Sequence, residues 1–304
     1  MKVSGFTIAR NAVKLGYPIE LSLRSLLPLV DELVVAVGDS EDDTWEVVAG
    51  IGDAKIKPFR TIWDATKQHG GAVLAEQTNI ALAHCTGDWA LYLQTDELLH
   101  ENELERIHTR LKRYLDTPVE GLSFRYIHFY GSFQTVQDNW CVWYRREVRA
   151  IKTGIGIISV GDAAGFKISL GGRLERLIRA DAAAHVYHYG WARPPAVMAE
   201  KRLTIRRLYR PDDEPAQQDP EPEKAPNPYR DLGNLRHFSG AHPSLIQPLA
   251  SSQGWDFEAN IDGQPPRAIR YARLLRRCPR DFVRIAVSRV LLAWNTAVPA
   301  PKLR

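Results

Sequence analysis

The sequence predicts an α/β fold: a mixed, mainly parallel sheet with flanking helices, followed by a basic helical C-terminal extension. Three observations carry this expectation. Val3 to Ala9 and Leu33 to Val37 are apolar and β-prone, as strands buried on both faces should be. Helical patterns alternate with such runs from the first residue, the order of a parallel sheet covered by helices. The last segment, roughly Pro266 to Trp294, sets apolar residues at helical spacing among arginines.

Taken in order, the run Val3 to Ala9 ends in Arg10-Asn11, and Pro18 opens a helix with Ile19, Leu23, Leu26, Leu27 and Val30 at helical spacing. The strand Leu33 to Val37 stops at Gly38-Asp39-Ser40. Asp43 with Glu46 three residues later has the form of a capping box for a helix near Thr44 to Ala49. Ile56 to Phe59 reads as a third strand. Gly70-Gly71 precede a helix over about Ala72 to Ala83, and Gly87 separates it from the strand Trp89 to Leu93. Leu104 to Leu115 is amphipathic. After it Leu122 to Tyr130, Trp140 to Arg145 and Val186 to Tyr189 read as strands of a mixed second half. Six prolines between Pro211 and Pro228 mark a polar segment that cannot bury enough apolar surface to fold alone. The expected division is a catalytic domain over 1–210, a linker or loop over 211–230 and an extension with basic amphipathic helices over 231–304.

Composition narrows the function classes. With 304 residues, 44% hydrophobic and 25% charged, the chain has the balance of a globular protein. The three cysteines, Cys85, Cys141 and Cys278, are far apart, against both a disulfide framework and a zinc cluster. No run approaches the roughly 18 apolar residues of a membrane span, and the N-terminus turns polar too quickly for a secretory signal. A cytoplasmic protein is expected, with peripheral contact to the inner membrane face left open. The net charge of +4 is mild, so nucleic acid is not the first partner to expect. It is also local: Arg267 to Arg304 holds ten basic residues against one acid, Asp281. Such a tail can lie on an anionic membrane surface or pack back with its arginines in water; both readings stand.

In an open α/β sheet, ligands bind outside the carboxyl ends of the strands. The residues there are Arg10-Asn11, then Asp39, then Asp96-Glu97. Acids in that place suit Mg²⁺ or Mn²⁺ shared with a diphosphate; they equally suit capping of the helix that follows. GxGxxG after the first strand, GxxxxGK[ST], HExxH and GxSxG are all missing from the sequence, which removes the main support for dinucleotide, P-loop, zincin and hydrolase readings.

The arrangement of strand, ARNA, helix, LVVAVGDSEDDT, helix and ALAHCTGDWALYLQTDE resembles the inverting family-2 glycosyltransferases of the GT-A fold. The segment Asp39-Ser40-Glu41-Asp42-Asp43-Thr44 is similar to their GS-x-D-x-T stretch, and Ala83 to Asp96 to the segment that ends in DxD. Within the family the chain looks like a subset carrying QxDE in place of DxD (here Gln94-Thr95-Asp96-Glu97), a later YHYGW motif (Tyr187 to Trp191, followed by Ala192-Arg193-Pro194-Pro195) and FSGAHP (Phe238 to Pro243).

That resemblance implies a glycosyltransferase taking a nucleotide diphosphate-sugar and a glycan, lipid-linked or protein acceptor, with a divalent cation, Mn²⁺ or Mg²⁺. It gives the metal to Asp96 and to His188, the histidine that returns from the second half in many GT-A enzymes. The implied nucleotide-sugar set is Arg10, Asn11, Asp39, Gln77, Gln94, Asp96 and Arg193. Gln94 replaces the first acid of DxD; its amide can bond a ribose hydroxyl but brings no charge to a metal. Inverting transfer needs a base for the acceptor hydroxyl, and Asp162 and Asp138 are the candidate acids, Asp162 preferred. On a strand His185 faces away from His188. The aromatics Tyr126, His128, Phe129, Tyr130, Trp140, Trp143 and Tyr144 read as core before they read as a sugar groove. Two competing readings remain: a catalytically silent nucleotide- or glycan-binding protein, and a sugar-phosphate nucleotidyltransferase, which ARNAVKLG disfavours because it lacks a glycine-rich lysine loop.

Overall fold

The computed structural model describes residues 1–67, 69–139, 143–209, 229, 234–259, 261–265 and 269. Four parallel strands form one half of the main sheet, in the order β3-β2-β1-β4: β1 (Val3–Ala9), β2 (Glu32–Val37), β3 (Ile56–Arg60) and β4 (Trp89–Tyr92). Side chains alternate across β1. Val3 and Ala9 face helices α1 (Ile19–Leu26), α2 (Thr44–Gly50) and α4 (Leu104–Tyr114), while Phe6 and Ile8 face α3 (Ala72–Ala83). Both faces of β1, β2 and β4 are therefore covered and most of their residues are apolar, whereas β3 at the end of the sheet is partly exposed and carries Lys57 and Arg60.

Beyond β4 the sheet turns antiparallel. The short β5 (Glu97–Leu98) follows, then β6 (Gly121–Tyr130), β7 (Ser132–Gln137) and β8 (Arg146–Lys152). β8 inserts between β4 and β6, antiparallel to both. A separate three-stranded sheet of β9 (Ile157–Val160), β10 (Gly165–Leu170) and β11 (Arg173–Arg176) sends Ile157, Phe166 and Ile168 into the α3 face. The long β12 (Arg179–Trp191) runs parallel to β6 and antiparallel to β5. Helix α5 (Pro195–Leu208) starts with proline in its first turn, where no N–H is required. β13 (Leu235–His237) extends the sheet at β7, and Ala250 of α6 (Gln247–Ser251) joins the cluster of Phe129, Phe133 and Val136.

The expected α/β architecture with a mainly parallel first half is thus observed, and Ala72–Ala83 matches to the residue. Several local expectations are corrected. Asp43 makes no side-chain cap on α2; Asp42 Oδ1 accepts from Thr44 N at 3.1 Å and from Thr44 Oγ1 at 2.5 Å instead. Pro28 follows α1, so Val30 lies beyond that helix. Residues 143–145 are not strand, and β8 begins at Arg146; 140–142 lie outside the described residues. Asp96 and Glu97 lead into β5 rather than a helix, and the turn after it is capped by His100. Within residues 234–259, only β13 pairs with the sheet. The linker (apart from Tyr229) and the basic helices (apart from Ile269) lie outside the described residues. Among the described residues, no helix is long and apolar enough to cross a membrane.

Candidate active site

A cavity of about 650 Å³ opens at the carboxyl ends of the parallel strands. Its floor is made by residues that directly follow strands: Arg10 and Asn11 after β1, Trp63 beyond β3, and Gln94, Thr95 and Asp96 beyond β4. Asp162, Ala163 and Ala164 close one side, and α5 closes another with Lys201, Arg202, Thr204, Ile205 and Leu208.

At the deepest point Asp96, 6% exposed, is held from two sides. Lys201 Nζ lies 3.2 Å and His188 Nε2 3.5 Å from the same oxygen, Oδ2. Lys201 Nζ also donates to Gly190 O at 2.8 Å. Burial acts to raise the Asp96 pKa, but Lys201, His188 and Arg193 outweigh it and hold the carboxyl well below its usual range. Burial pushes Lys201 down to about 8. Gly190 is the residue this cluster demands: a Cβ there would stand 2.1 Å from Asp96 Oδ2 and 2.7 Å from both His188 Nε2 and Lys201 Nζ.

The tautomer of His188 follows from its neighbours. Tyr144 O can only accept, so His128 Nε2, 2.7 Å away, donates to it. Burial keeps His128 neutral, so its Nδ1 is an acceptor. Nδ1 of His188, 2.8 Å from that atom, must then donate. Nε2 is then the ring atom that His188 turns towards Asp96.

Glu97, read with Asp96 as part of the acidic pair, is turned away from the cavity. It is fully buried, its Oε1 3.0 Å from Arg149 Nη2 and its Oε2 3.2 Å from Arg149 Nε. It also accepts from Tyr126 OH at 2.7 Å and from Gln94 N at 3.0 Å. Arg149 Nη1 donates to Ala164 O at 3.2 Å, so this buried pair ties the Gln94–Glu97 turn to the Asp162 loop.

Of the other sequence-based candidates, Arg10, Asn11, Gln94, Asp96, His188 and Asp162 line the cavity. Asp39 lies behind Arg10, 3.2 Å from its Nε, and accepts from Trp63 N at 3.1 Å. Gly38 packs closely on Trp63: a Cβ there would meet Trp63 Nε1 at 2.3 Å. Gln77 is buried beneath the cavity and donates to Ile62 O at 3.0 Å, so it supports the Trp63 segment and does not line the site. Arg193 is buried beside Tyr17, its Cζ 5.5 Å from that ring, and also stays off the cavity wall. Asp138 does not line the cavity either; it sits beside β13, donating through its N–H to Asn234 O at 2.8 Å. Asp162 Oδ2 accepts from Tyr209 OH at 2.6 Å. His185 faces Glu103 at 2.8 Å, away from His188, as strand alternation predicts.

Sequence reasoning missed Lys201, Tyr17, Trp63 and Tyr209. Lys201 gives no signal, being one of several charged residues on α5. Trp143, Tyr144 and Tyr130, read as core, line the cavity, whereas Tyr126, His128 and Phe129 are not among its lining residues.

The family model for glycosyl transferase family 2 matches residues 17–170, just over half of the 304. The chain belongs to glycosyl transferase family 2. The matched stretch contains Asp96 and Asp162, while Lys201 and His188 of this family-2 glycosyltransferase lie beyond it. Among solved structures, S. aureus TarS 1-349 is 16% identical, with a TM-score of 0.38 over 71% of this chain and 68% of that one. Glucosyl-3-phosphoglycerate synthase from Mycobacterium tuberculosis, in complex with Mg²⁺ and UDP, is 20% identical, with a TM-score of 0.29 over 42% of this chain and 43% of that one. Mannosyl-3-phosphoglycerate synthase from Rubrobacter xylanophilus is 22% identical, with a TM-score of 0.31 over 42% of this chain and 41% of that one. The family-2 chain thus spans less than half the length of either synthase. No curated protein matches the sequence.

Proposed function

We propose that this chain transfers a sugar from a nucleotide diphosphate-sugar to the hydroxyl of a glycan, lipid-linked or protein acceptor by inverting displacement. The observation that carries the reading is Asp96 at the floor of the cavity, at the carboxyl end of β4, faced by Lys201 and His188. Arg10 and Asn11 at the end of β1, with Trp63 beside them, provide the polar and aromatic surface for base and ribose, and Gln94 offers its amide to a ribose hydroxyl.

Asp96 and His188 fit a divalent cation, Mn²⁺ or Mg²⁺. Asp96 Oδ2 and His188 Nε2 face each other at 3.5 Å, and His128 holds the His188 ring from behind through Nδ1. Among the described residues, no group of three or more His, Cys, Asp or Glu side chains converges. This suits a cation with few protein ligands that shares the rest of its shell with phosphate and water. Bound there, the cation would supply Lewis-acid stabilisation of the departing diphosphate. The chain's own groups do the rest. Lys201 and Arg202 add positive charge on the α5 wall. Asp162 takes the acceptor proton as the acceptor oxygen attacks the anomeric carbon and the C1–O bond to the nucleotide breaks. Tyr209 fixes the carboxylate's orientation.

Calorimetry with UDP, GDP and CDP, with and without Mn²⁺, on wild type and Asp96→Ala tests this. The expected result is metal-dependent binding of one nucleotide, lost in the variant. No binding of any nucleotide under either condition would overturn the reading. Asp162→Asn should then keep nucleotide binding and lose transfer by about 100-fold or more.

A further inference from the structure

Lys201 stands where a cation bound to Asp96 would have its nearest neighbour. Its ammonium shares Asp96 Oδ2 with His188, at 3.2 and 3.5 Å. The rings of Tyr17 and Trp191 flank it, with centroids 4.7 and 5.3 Å from Nζ. Arg193 Cζ lies 5.5 Å from the Tyr17 ring centroid, and its Nε and Nη2 are buried without a hydrogen-bond partner among the described residues. The cluster therefore holds one carboxylate against two basic side chains before any ligand enters.

A dication near an ammonium meets twice the repulsion that two unit charges would at the same distance. A bare divalent cation approaching Asp96 must meet this repulsion or displace Lys201. A nucleoside diphosphate with one divalent cation remains a net anion. In a nucleotide diphosphate-sugar the cation balances the phosphate charge, but phosphate oxygens not held by the cation still offer Lys201 an anionic partner. Lys201 can follow it, because its stem has four rotatable carbons and it lines the cavity wall. Arg193 is as buried as Lys201 but does not line the cavity, so its side chain has no open path to the ligand.

We propose that Lys201 is a displaceable counter-ion of Asp96. It neutralises the carboxylate while the site holds no nucleotide, keeps a divalent cation from binding alone, and turns to a phosphate oxygen when cation and diphosphate bind together. The inference rests on the nucleotide-sugar reading above, and it makes metal and nucleotide binding mutually dependent.

The test uses the metal-free full-length chain. Mn²⁺ binding is followed by the paramagnetic resonance of free Mn²⁺ without nucleotide, and UDP, GDP and CDP binding by calorimetry at fixed Mn²⁺. Wild type is expected to bind Mn²⁺ weakly alone and about tenfold more tightly with its nucleotide. Lys201→Met should reverse the two signs: Mn²⁺ alone binds about tenfold more tightly, and the nucleotide about tenfold more weakly. Lys201→Arg, which keeps the charge, should leave Mn²⁺ alone as weak as in wild type. Should the methionine variant not fold, Lys201→Gln removes the same charge and carries the same expectation. Weaker or unchanged binding of Mn²⁺ alone in the neutral variants overturns the proposal and leaves Lys201 a structural contact or a plain phosphate ligand. Wild type that binds no nucleotide sinks the nucleotide-sugar reading instead, while the Mn²⁺-alone comparison still decides whether Lys201 guards Asp96.

Discussion

Nδ1 of His128 lies 2.8 Å from Nδ1 of His188, so one imidazole sets the proton of the other. The order of donation runs from His188 to His128 and from His128 to the carbonyl of Tyr144. The chain of bonds ends on a backbone atom that cannot reverse it, which fixes the face His188 turns to Asp96.

His128→Phe keeps an aromatic ring at this buried position and removes the acceptor. Mn²⁺ affinity in the presence of nucleotide should fall by about 10- to 100-fold, the usual cost of losing a partner behind a metal ligand. Nucleotide binding without metal should change by less than about twofold. Calorimetry reads both, and an unchanged Mn²⁺ affinity would remove His128 from the site's machinery.

Gly190→Ala tests how tightly Asp96, His188 and Lys201 close on one backbone position. With a Cβ 2.1 Å from Asp96 Oδ2, the carboxylate or β12 must move. The expected cost is about 1–3 kcal/mol of stability together with loss of metal-dependent nucleotide binding. Urea denaturation and calorimetry on one preparation check it. A stable variant that binds like wild type would show that the cluster has room the structure does not display.

The parallel half of the fold is legible because its physics is local. Strands β1 and β2 are buried on both faces, so apolar runs mark them, and Gly71 and Gly87 bracket α3 within a residue or a few of its ends. The antiparallel half is harder to read. β8 has the sequence REVRAIK and holds its place through the Glu97–Arg149 pair and through neighbours far away in sequence. The site divides in the same way. Arg10, Asn11 and Asp96 follow strands, so their place at the cavity is legible from position. Lys201 comes from α5, more than 100 residues after Asp96, and only tertiary packing distinguishes it from Arg202 or Arg206. Gln77 was drawn into the site by resemblance; its burial under Ile62 shows it holding the Trp63 segment from below.

The Glu97–Arg149 pair is fully buried on both sides, so its members have no water to fall back on. Glu97→Ala should cost about 3–5 kcal/mol, because Arg149 is left charged and uncompensated. Replacing both partners, Glu97→Leu with Arg149→Met, should recover much of that loss in chemical denaturation. Activity should not recover with it, since Arg149 also holds Ala164 O beside Asp162. A double variant as unstable as the single one would mean that the pair's hydrogen bonds, rather than charge compensation, decide stability.

Glu32 gives the fold an acid limit. Burial acts to raise its pKa, but the Ser4 and Thr86 hydroxyls, Lys57 and the Thr86 N–H outweigh burial and hold it well below the ordinary range. Those contacts are short: 2.6 Å from Ser4 Oγ, 2.6 Å from Thr86 Oγ1, 2.8 Å from Thr86 N and 2.9 Å from Lys57 Nζ. With the folded value below the unfolded value of about 4.3, the unfolded chain binds the proton more readily. The contribution is therefore fully present above that pH and is lost as pH falls through it towards the folded value. Glu32→Gln should lose about 1.5–3 kcal/mol near neutral pH, the range for hydrogen bonds to a charged group. The gap between the two proteins should narrow as the pH drops below about 4. Urea denaturation across that interval measures it, and a gap that stays constant down to the acid transition would show that the Glu32 charge does not stabilise the fold.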